Sequence, residues 1–228
     1  MKIVSVSALL FFCFTAFGAE SSTYYFEGSI SRVLEADYIG EGSNGLGEWE
    51  FEEVESSRRF PETAFSLGDH FSGYLSFDQG AELLGVSDDG AQAIYRPLSY
   101  SLFLDCFDLD FDGYNSFSIV DDRMNHSGPY DAFFASAQGG QGTPWFFSSS
   151  IFLQDRTGLV FEDQSIPEML DTQDFSYGSM RLAFLERSTD DQLQIRGDLT
   201  TFTLVPEPTT AVLVGLGLIG LGVRRRVS

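Results

Sequence analysis

Apolar residues in this chain recur at every second position through most of its length. Residues 24–30 and residues 71–77 alternate aromatic, aliphatic or glycine residues with polar ones, and glycine-rich turns such as residues 138–143 separate the runs. Because successive side chains of a β-strand point to opposite faces, this period predicts strands with one buried face. We therefore expect an all-β domain, folded as a β-sandwich, with the jelly roll as an alternative arrangement.

The N-terminus has the pattern of a secretory signal peptide. Lys2 supplies a short positive region, and residues 9–17 form an apolar stretch. Ala16 and Gly18 place small residues at the two positions that a signal peptidase reads. We predict that residues 1–18 are a signal peptide and that cleavage follows Gly18.

The C-terminus has three distinct parts. In order they are Val205, Pro206, Glu207 and Pro208, then the uncharged apolar residues 209–223, then Arg224, Arg225 and Arg226. The prolines lack a backbone N–H and end the preceding strand. About 15 helical residues span roughly 22 Å, less than the roughly 30 Å hydrocarbon core of a bilayer. Such a helix suits temporary attachment to the membrane, with the arginines on the cytoplasmic side. A permanent membrane anchor is the alternative.

This C-terminal order resembles the PEP-CTERM sorting signal, found on exported proteins of Gram-negative bacteria that make extracellular polysaccharide. The resemblance implies an exosortase-type membrane enzyme as partner, cleavage near Pro206–Pro208, and passage from the inner membrane to the cell surface or the extracellular matrix. Residues 19–204 would then be the ectodomain and residues 205–228 the sorting signal. Residues 24–30 and 67–74 resemble the opening of exported proteins of this family, and the resemblance supplies no catalytic residues.

The charge of the predicted mature region is strongly negative. Residues 19–208 contain all 34 carboxylates of the chain but 9 of its 13 basic residues, a net charge of about −25. Such a surface repels nucleic acid and anionic lipid and favours solubility. The 23 phenylalanines and 9 tyrosines exclude a largely disordered chain.

A search for catalytic motifs is negative. The two histidines, His70 and His126, are far apart and lack the spacing of zinc ligands. We therefore expect a non-catalytic protein that lies in, or binds, extracellular polysaccharide. Trp49 and Trp145 would be available to stack on sugar rings, although the core is the commoner place for each. The alternatives are a carbohydrate-active enzyme that uses a pair of carboxylates, and a calcium-dependent adhesin.

The calcium alternative depends on one short motif. Asp108, Asp110 and Asp112 alternate and precede Gly113, as in the first half of a calcium-binding loop. The twelfth position is Ile119, where a calcium loop has a bidentate glutamate. The competing interpretation is a strand whose apolar residues face the core while the aspartates face water, ending in an Asp-Gly turn.

Overall fold

The computed structural model describes residues 21–206, apart from residues 42–46, 61–63 and 105–106. The predicted signal peptide and the predicted C-terminal helix lie outside these residues. The described chain is formed by twelve β-strands and a 3-10 turn at Thr172–Asp174. The strands are β1 Ser21–Glu41, β2 Gly47–Val54, β3 Ser56–Ser57, β4 Phe65–Ser66, β5 His70–Val86, β6 Gln92–Leu104, β7 Phe107–Asp110, β8 Ser116–Asn125, β9 Gly128–Gly139, β10 Trp145–Asp155, β11 Tyr177–Glu186 and β12 Gln192–Leu204. The all-β prediction is confirmed.

Eight of the described strands form a sheet that closes on itself. Its order is β5-β6-β8-β9-β10-β11-β12-β1, and β1 pairs with both β12 and β5. All of these pairings are antiparallel. The second half of β1 carries β2 as an extension, and β7 folds back on β6. Closure pairs the backbone N–H and C=O groups of β1 and β12 that would be left without partners at the edges of an open sheet.

Aromatic rings fill the interior of the closed sheet. Phe77 on β5 lies 4.6 Å from Phe117 and 5.7 Å from Phe133, measured between ring centroids. Phe133 on β9 also lies 6.4 Å from Phe202 on β12. Because β9 forms no hydrogen bonds with β5 or β12, these contacts join opposite walls of the sheet. The packing is therefore consistent with the two apolar layers expected of a sandwich.

Glycines within the strands make room for these rings. A methyl group added at Gly73 would overlap the ring of Phe26 and the carbonyl oxygen of Ser101. Methyl groups added at Gly28 or Gly197 would overlap the ring of Phe71. The alternation of glycine with phenylalanine in β1 and β5 is therefore a packing requirement of the interior.

Two sequence-based expectations differ from the structure. The strand expected at residues 100–111 is divided into β6 and β7, which pair with each other as a hairpin. The jelly-roll arrangement is wrong, because neighbours in the closed sheet follow one another along the chain, apart from the β1–β12 and β1–β5 pairings. A jelly roll instead requires the crossing connections of two Greek keys.

Candidate functional site

The two ends of the described chain lie side by side. Tyr24 pairs with Leu204 at the end of the β1–β12 ladder, and the Val205 N–H donates to the carbonyl oxygen of Thr23 at 2.7 Å. Pro206 follows and is exposed. The strand that closes the sheet therefore leads directly into the segment that resembles a sorting signal. Of the residues predicted for that segment, Glu207, Pro208 and the three arginines lie outside the described chain, as do Ala16 and Gly18.

Three carboxylates converge where β8 and β9 separate. A bulge between Val120 and Arg123 leaves Asp121 and Asp122 unpaired with β9, and Asp122 has a left-handed φ of 49°. Asp131 on β9 lies opposite the bulge and is completely buried. Each of the three offers a carboxylate oxygen, and these oxygens lie within 4.8 Å of one another. Among the described side chains, this group has the geometry closest to that of a cation site.

Backbone donors, however, already use both oxygens of Asp131. One oxygen accepts the N–H of Asp122 at 2.9 Å, and the other accepts the N–H groups of Val160 and Phe161, each at 2.8 Å. The carboxylate therefore fixes the bulge of β8 and the loop of residues 156–176 to each other. These hydrogen bonds favour a structural role for Asp131 over cation binding, because a buried carboxylate that accepts several backbone N–H groups orders the chain around it.

The neighbouring carboxylates differ in their electrostatics. Burial, together with the negative charges of Asp131, Asp122 and Asp163, raises the pKa of Asp121. Asp155 at the end of β10 is also buried. Its burial acts to raise the pKa, but hydrogen bonds from the Thr157 hydroxyl and from loop N–H groups outweigh it and hold the pKa below its usual value. Asp155 and Asp131 thus anchor the two ends of the first turn of the loop of residues 156–176.

A raised pKa beside a second carboxylate is also the arrangement of a glycosidase acid. Two surface pockets of about 310 and 330 Å³ lie elsewhere on the molecule, and neither contains Asp121, Asp122 or Asp131. The first lies beside Tyr177 and Leu199, and the second beside Phe60 and Trp145. Neither of these two pockets therefore supplies a substrate cleft beside the carboxylate cluster.

The predicted calcium motif is divided between β7 and the loop that follows. Asp108 and Asp112 are exposed and line the pocket of about 330 Å³. Leu109 and Phe111 are buried in the core, as the strand interpretation requires. The side chain of Asp110 lies outside the described part of the structure, so calcium binding at these three residues stays a prediction. The sequence analysis overlooked Asp131, whose one signal is an aspartate at an inward-facing position of an apolar strand.

The two histidines lie at the surface, and the two tryptophans differ in their exposure. His70 is exposed and lies 3.8 Å from Glu27, whose pKa is lowered mainly by the hydrogen bond from the Tyr25 hydroxyl. His126 is exposed in the turn between β8 and β9. Trp145 is buried in the core, whereas Trp49 is partly exposed and donates from Nε1 to the carbonyl oxygen of Asp190 at 2.7 Å.

These features define an all-β domain whose closing strand runs directly into the C-terminal segment that resembles a sorting signal. A family model for the PEP-CTERM protein-sorting motif matches residues 204–226. The C-terminus of the chain therefore carries a PEP-CTERM sorting motif, which confirms the resemblance seen in the sequence. The motif implies export, a membrane-anchored sorting signal and processing by an exosortase-type system.

Other comparisons add no relative. Neither the search of curated proteins nor the search of solved structures found a significant match. Across the residues that the structure describes, no helix has both the length and the apolar character needed to cross a membrane.

Proposed function

We propose that this protein is a non-catalytic component of the cell surface or of the extracellular polysaccharide matrix. In this proposal the helix predicted at residues 209–223 holds the chain in the inner membrane until an exosortase cuts near Pro206–Pro208. The ectodomain then leaves the membrane and associates with polysaccharide through its outer surface. Export and exosortase processing follow from the matched motif; the matrix role and the absence of catalysis are the proposed part.

The observation that carries the proposal is the junction between the fold and the motif. The last hydrogen bond of the closed sheet is made by Val205, one residue before Pro206. Cleavage after Pro208 would therefore remove the whole membrane segment and leave every described strand pairing in place. A domain built this way is suited to release as a complete folded unit.

The proposed absence of catalysis is supported by the hydrogen bonds that the carboxylate cluster already accepts from the backbone. Asp131, the most buried member of the cluster, is occupied by three backbone donors. A nucleophile or general base needs an oxygen directed at a substrate. The geometry thus favours a structural role for the cluster, and binding by the outer face of the sheet in place of chemistry in a cleft.

The proposal is tested by following the full chain in a bacterium that contains an exosortase, with an exosortase-deleted strain as the control. We expect the ectodomain in the matrix fraction of the first strain and in the inner membrane of the second. Enzymatic digestion of the polysaccharide should release the matrix-bound protein. Equal distribution in the two strains, or release without digestion, would contradict the proposal.

A further inference from the structure

Three arginines form a continuous row on the outer face of the closed sheet. Arg32 on β1 pairs with Arg196 on β12, and Arg196 pairs with Arg181 on β11. The neighbours of these residues along the strands, such as Val33, Ile195 and Leu182, are completely buried in the core. Because strand side chains alternate, Arg32, Arg196 and Arg181 point outward together. We call these three residues the arginine row.

The arginine row is an unexpected arrangement in so acidic a domain. Like charges placed directly opposite each other on adjacent strands are destabilising. Other arginines, such as Arg59 and Arg123, lie beside carboxylates. Within the row, Arg32 pairs with Glu53 at 2.6 Å. Among the described residues, Arg181 and Arg196 have no carboxylate within the 4.0 Å of an ion pair.

Arg196 also contains a polar atom without a partner. Its Nε is buried and finds no hydrogen-bond acceptor among the described residues. Buried donors of charged groups are normally satisfied, since leaving one unpaired is costly. Asp198 is on the same face, two residues and about 7 Å along the strand. The Nε atom itself is not accessible from the surface, so an anion placed over the row would accept from the terminal guanidinium nitrogens of Arg196 and Arg181 and would reduce the repulsion between the two side chains.

The surface beside the arginine row is polar and partly aromatic. The row continues in register to Ser150 on β10 and Ser136 on β9. One row further along the strands, Phe152 and Phe134 are partly exposed, with ring centroids 6.4 Å apart. Hydroxyl groups and aromatic rings beside guanidinium groups match a ligand with hydroxyls, apolar ring faces and acidic groups. That combination of features is found in an acidic sugar chain.

We propose that the arginine row binds a polysaccharide that contains uronic acids, through its carboxylate groups. The planar guanidinium fork pairs with carboxylates in a bidentate way. The outer strands of the row are separated by two strand spacings, about 9.5 Å, close to the length of a disaccharide. Carboxylates more than about 8 Å from the row are screened at physiological ionic strength, whereas Glu53 and Asp198 lie closer and would compete with the ligand for the arginines. The inference rests on the proposed function and specifies its ligand.

The test is titration of the full chain, in detergent, with a short oligogalacturonate. Controls are a neutral maltooligosaccharide of equal length, a sulfated oligosaccharide and inorganic sulfate. We expect saturable binding of the oligogalacturonate and about tenfold weaker binding for Arg181→Gln, the loss of one charge-assisted pair. Arg96→Gln removes an equal charge from another part of the sheet and should change the affinity by less than about twofold.

Arg196→Lys gives a second readout, because it keeps the charge and removes the fork; binding should weaken while the melting temperature is preserved. No binding of the oligogalacturonate, or equal binding by Arg181→Gln and the unmodified chain, would overturn the proposal. Tighter binding of the sulfated oligosaccharide would overturn the uronate assignment. Comparable binding of inorganic sulfate would show that the row binds an adventitious ion only, and would overturn the polysaccharide assignment.

Two outcomes separate this proposal from the proposed function. Matrix retention that is unaffected by Arg181→Gln would contradict binding by the arginine row but would leave the proposed function standing. If the protein binds the oligogalacturonate in the titration but does not reach the matrix, only the proposed function would be contradicted.

Discussion

Replacing Asp131 with alanine should destabilise the domain more than replacing any exposed aspartate. The change removes the acceptor for the N–H groups of Asp122, Val160 and Phe161. These groups connect the bulge of β8 with the loop after β10, so both segments lose the same support. Asp131 is completely buried, and water replaces it poorly as a partner.

The size of the effect can be worked from these contacts. A hydrogen bond to a charged group contributes about 1.5 kcal/mol at the low end of its range, so three contribute roughly 4–5 kcal/mol. Removal of Asp131 also ends its repulsion of Asp121 and Asp122, which offsets part of this loss. We expect a net loss of about 3 kcal/mol in the free energy of unfolding, or about 6–12 °C in melting temperature for a domain of this size.

Thermal melting and amide hydrogen exchange of the full chain in detergent measure this effect. Exchange should accelerate at Val160 and Phe161, and Asp131→Asn should fall between the alanine variant and the unmodified chain, because one acceptor oxygen remains. Asp112→Ala, at an exposed position, is the matched control and should change stability by less than about 0.5 kcal/mol. Equal melting temperatures for Asp131→Ala and Asp112→Ala would refute the reasoning.

Three further predictions concern charge, packing and calcium. Because the raised pKa of Asp121 means that the folded state binds this proton more tightly than the unfolded state, its charge costs stability at neutral pH. Asp121→Asn should therefore raise the free energy of unfolding at pH 7 by up to about 1 kcal/mol, reduced by solvent screening. The gain should shrink as pH falls through the raised pKa and vanish below the pKa of the unfolded chain; a gain independent of pH would contradict this. Gly73→Ala should cost about 2 kcal/mol in chemical denaturation because its methyl group overlaps Phe26, whereas Gly85→Ala, which meets no atom within 4 Å, should be nearly neutral; equal effects would be the wrong outcome for the packing argument. The calcium hypothesis predicts that calcium at about 10⁻³ M raises the melting temperature and that Asp110→Asn and Asp112→Asn abolish the rise; an equal rise in both variants would reject that site.

Local patterns in the sequence predicted the strands well. Tyr24, Phe26 and Ile30 were expected on one face of the first strand, and all three are buried. The same holds for Phe71 and Phe77 in β5. This succeeds because side-chain alternation is a property of a single strand and needs no knowledge of its neighbours.

Features that depend on strand pairing could not be predicted in the same way. The closure of the sheet joins β1 to β12, which are far apart in sequence, and residues 100–111 read as one run although they contain two antiparallel strands. The arginine row depends on two irregularities in the β1–β12 ladder, one that skips Thr200 and one that skips Ser31. They cancel in register, but each changes which face of its strand is buried, and this places Arg32 and Arg196 on the outer face. Asp131 likewise acquires its role from a bulge in the partner strand. A bulge changes register without a distinctive sequence signal.

The most direct test of the account is the intact mass of the protein purified from the native cell envelope. The account predicts a dominant species that begins after Gly18 and ends near Pro208, without residues 209–228. Such a species retains Val205 and therefore every described pairing of β12 with β1. A dominant species that keeps Arg224, Arg225 and Arg226 would contradict release by an exosortase and would favour a permanent membrane anchor.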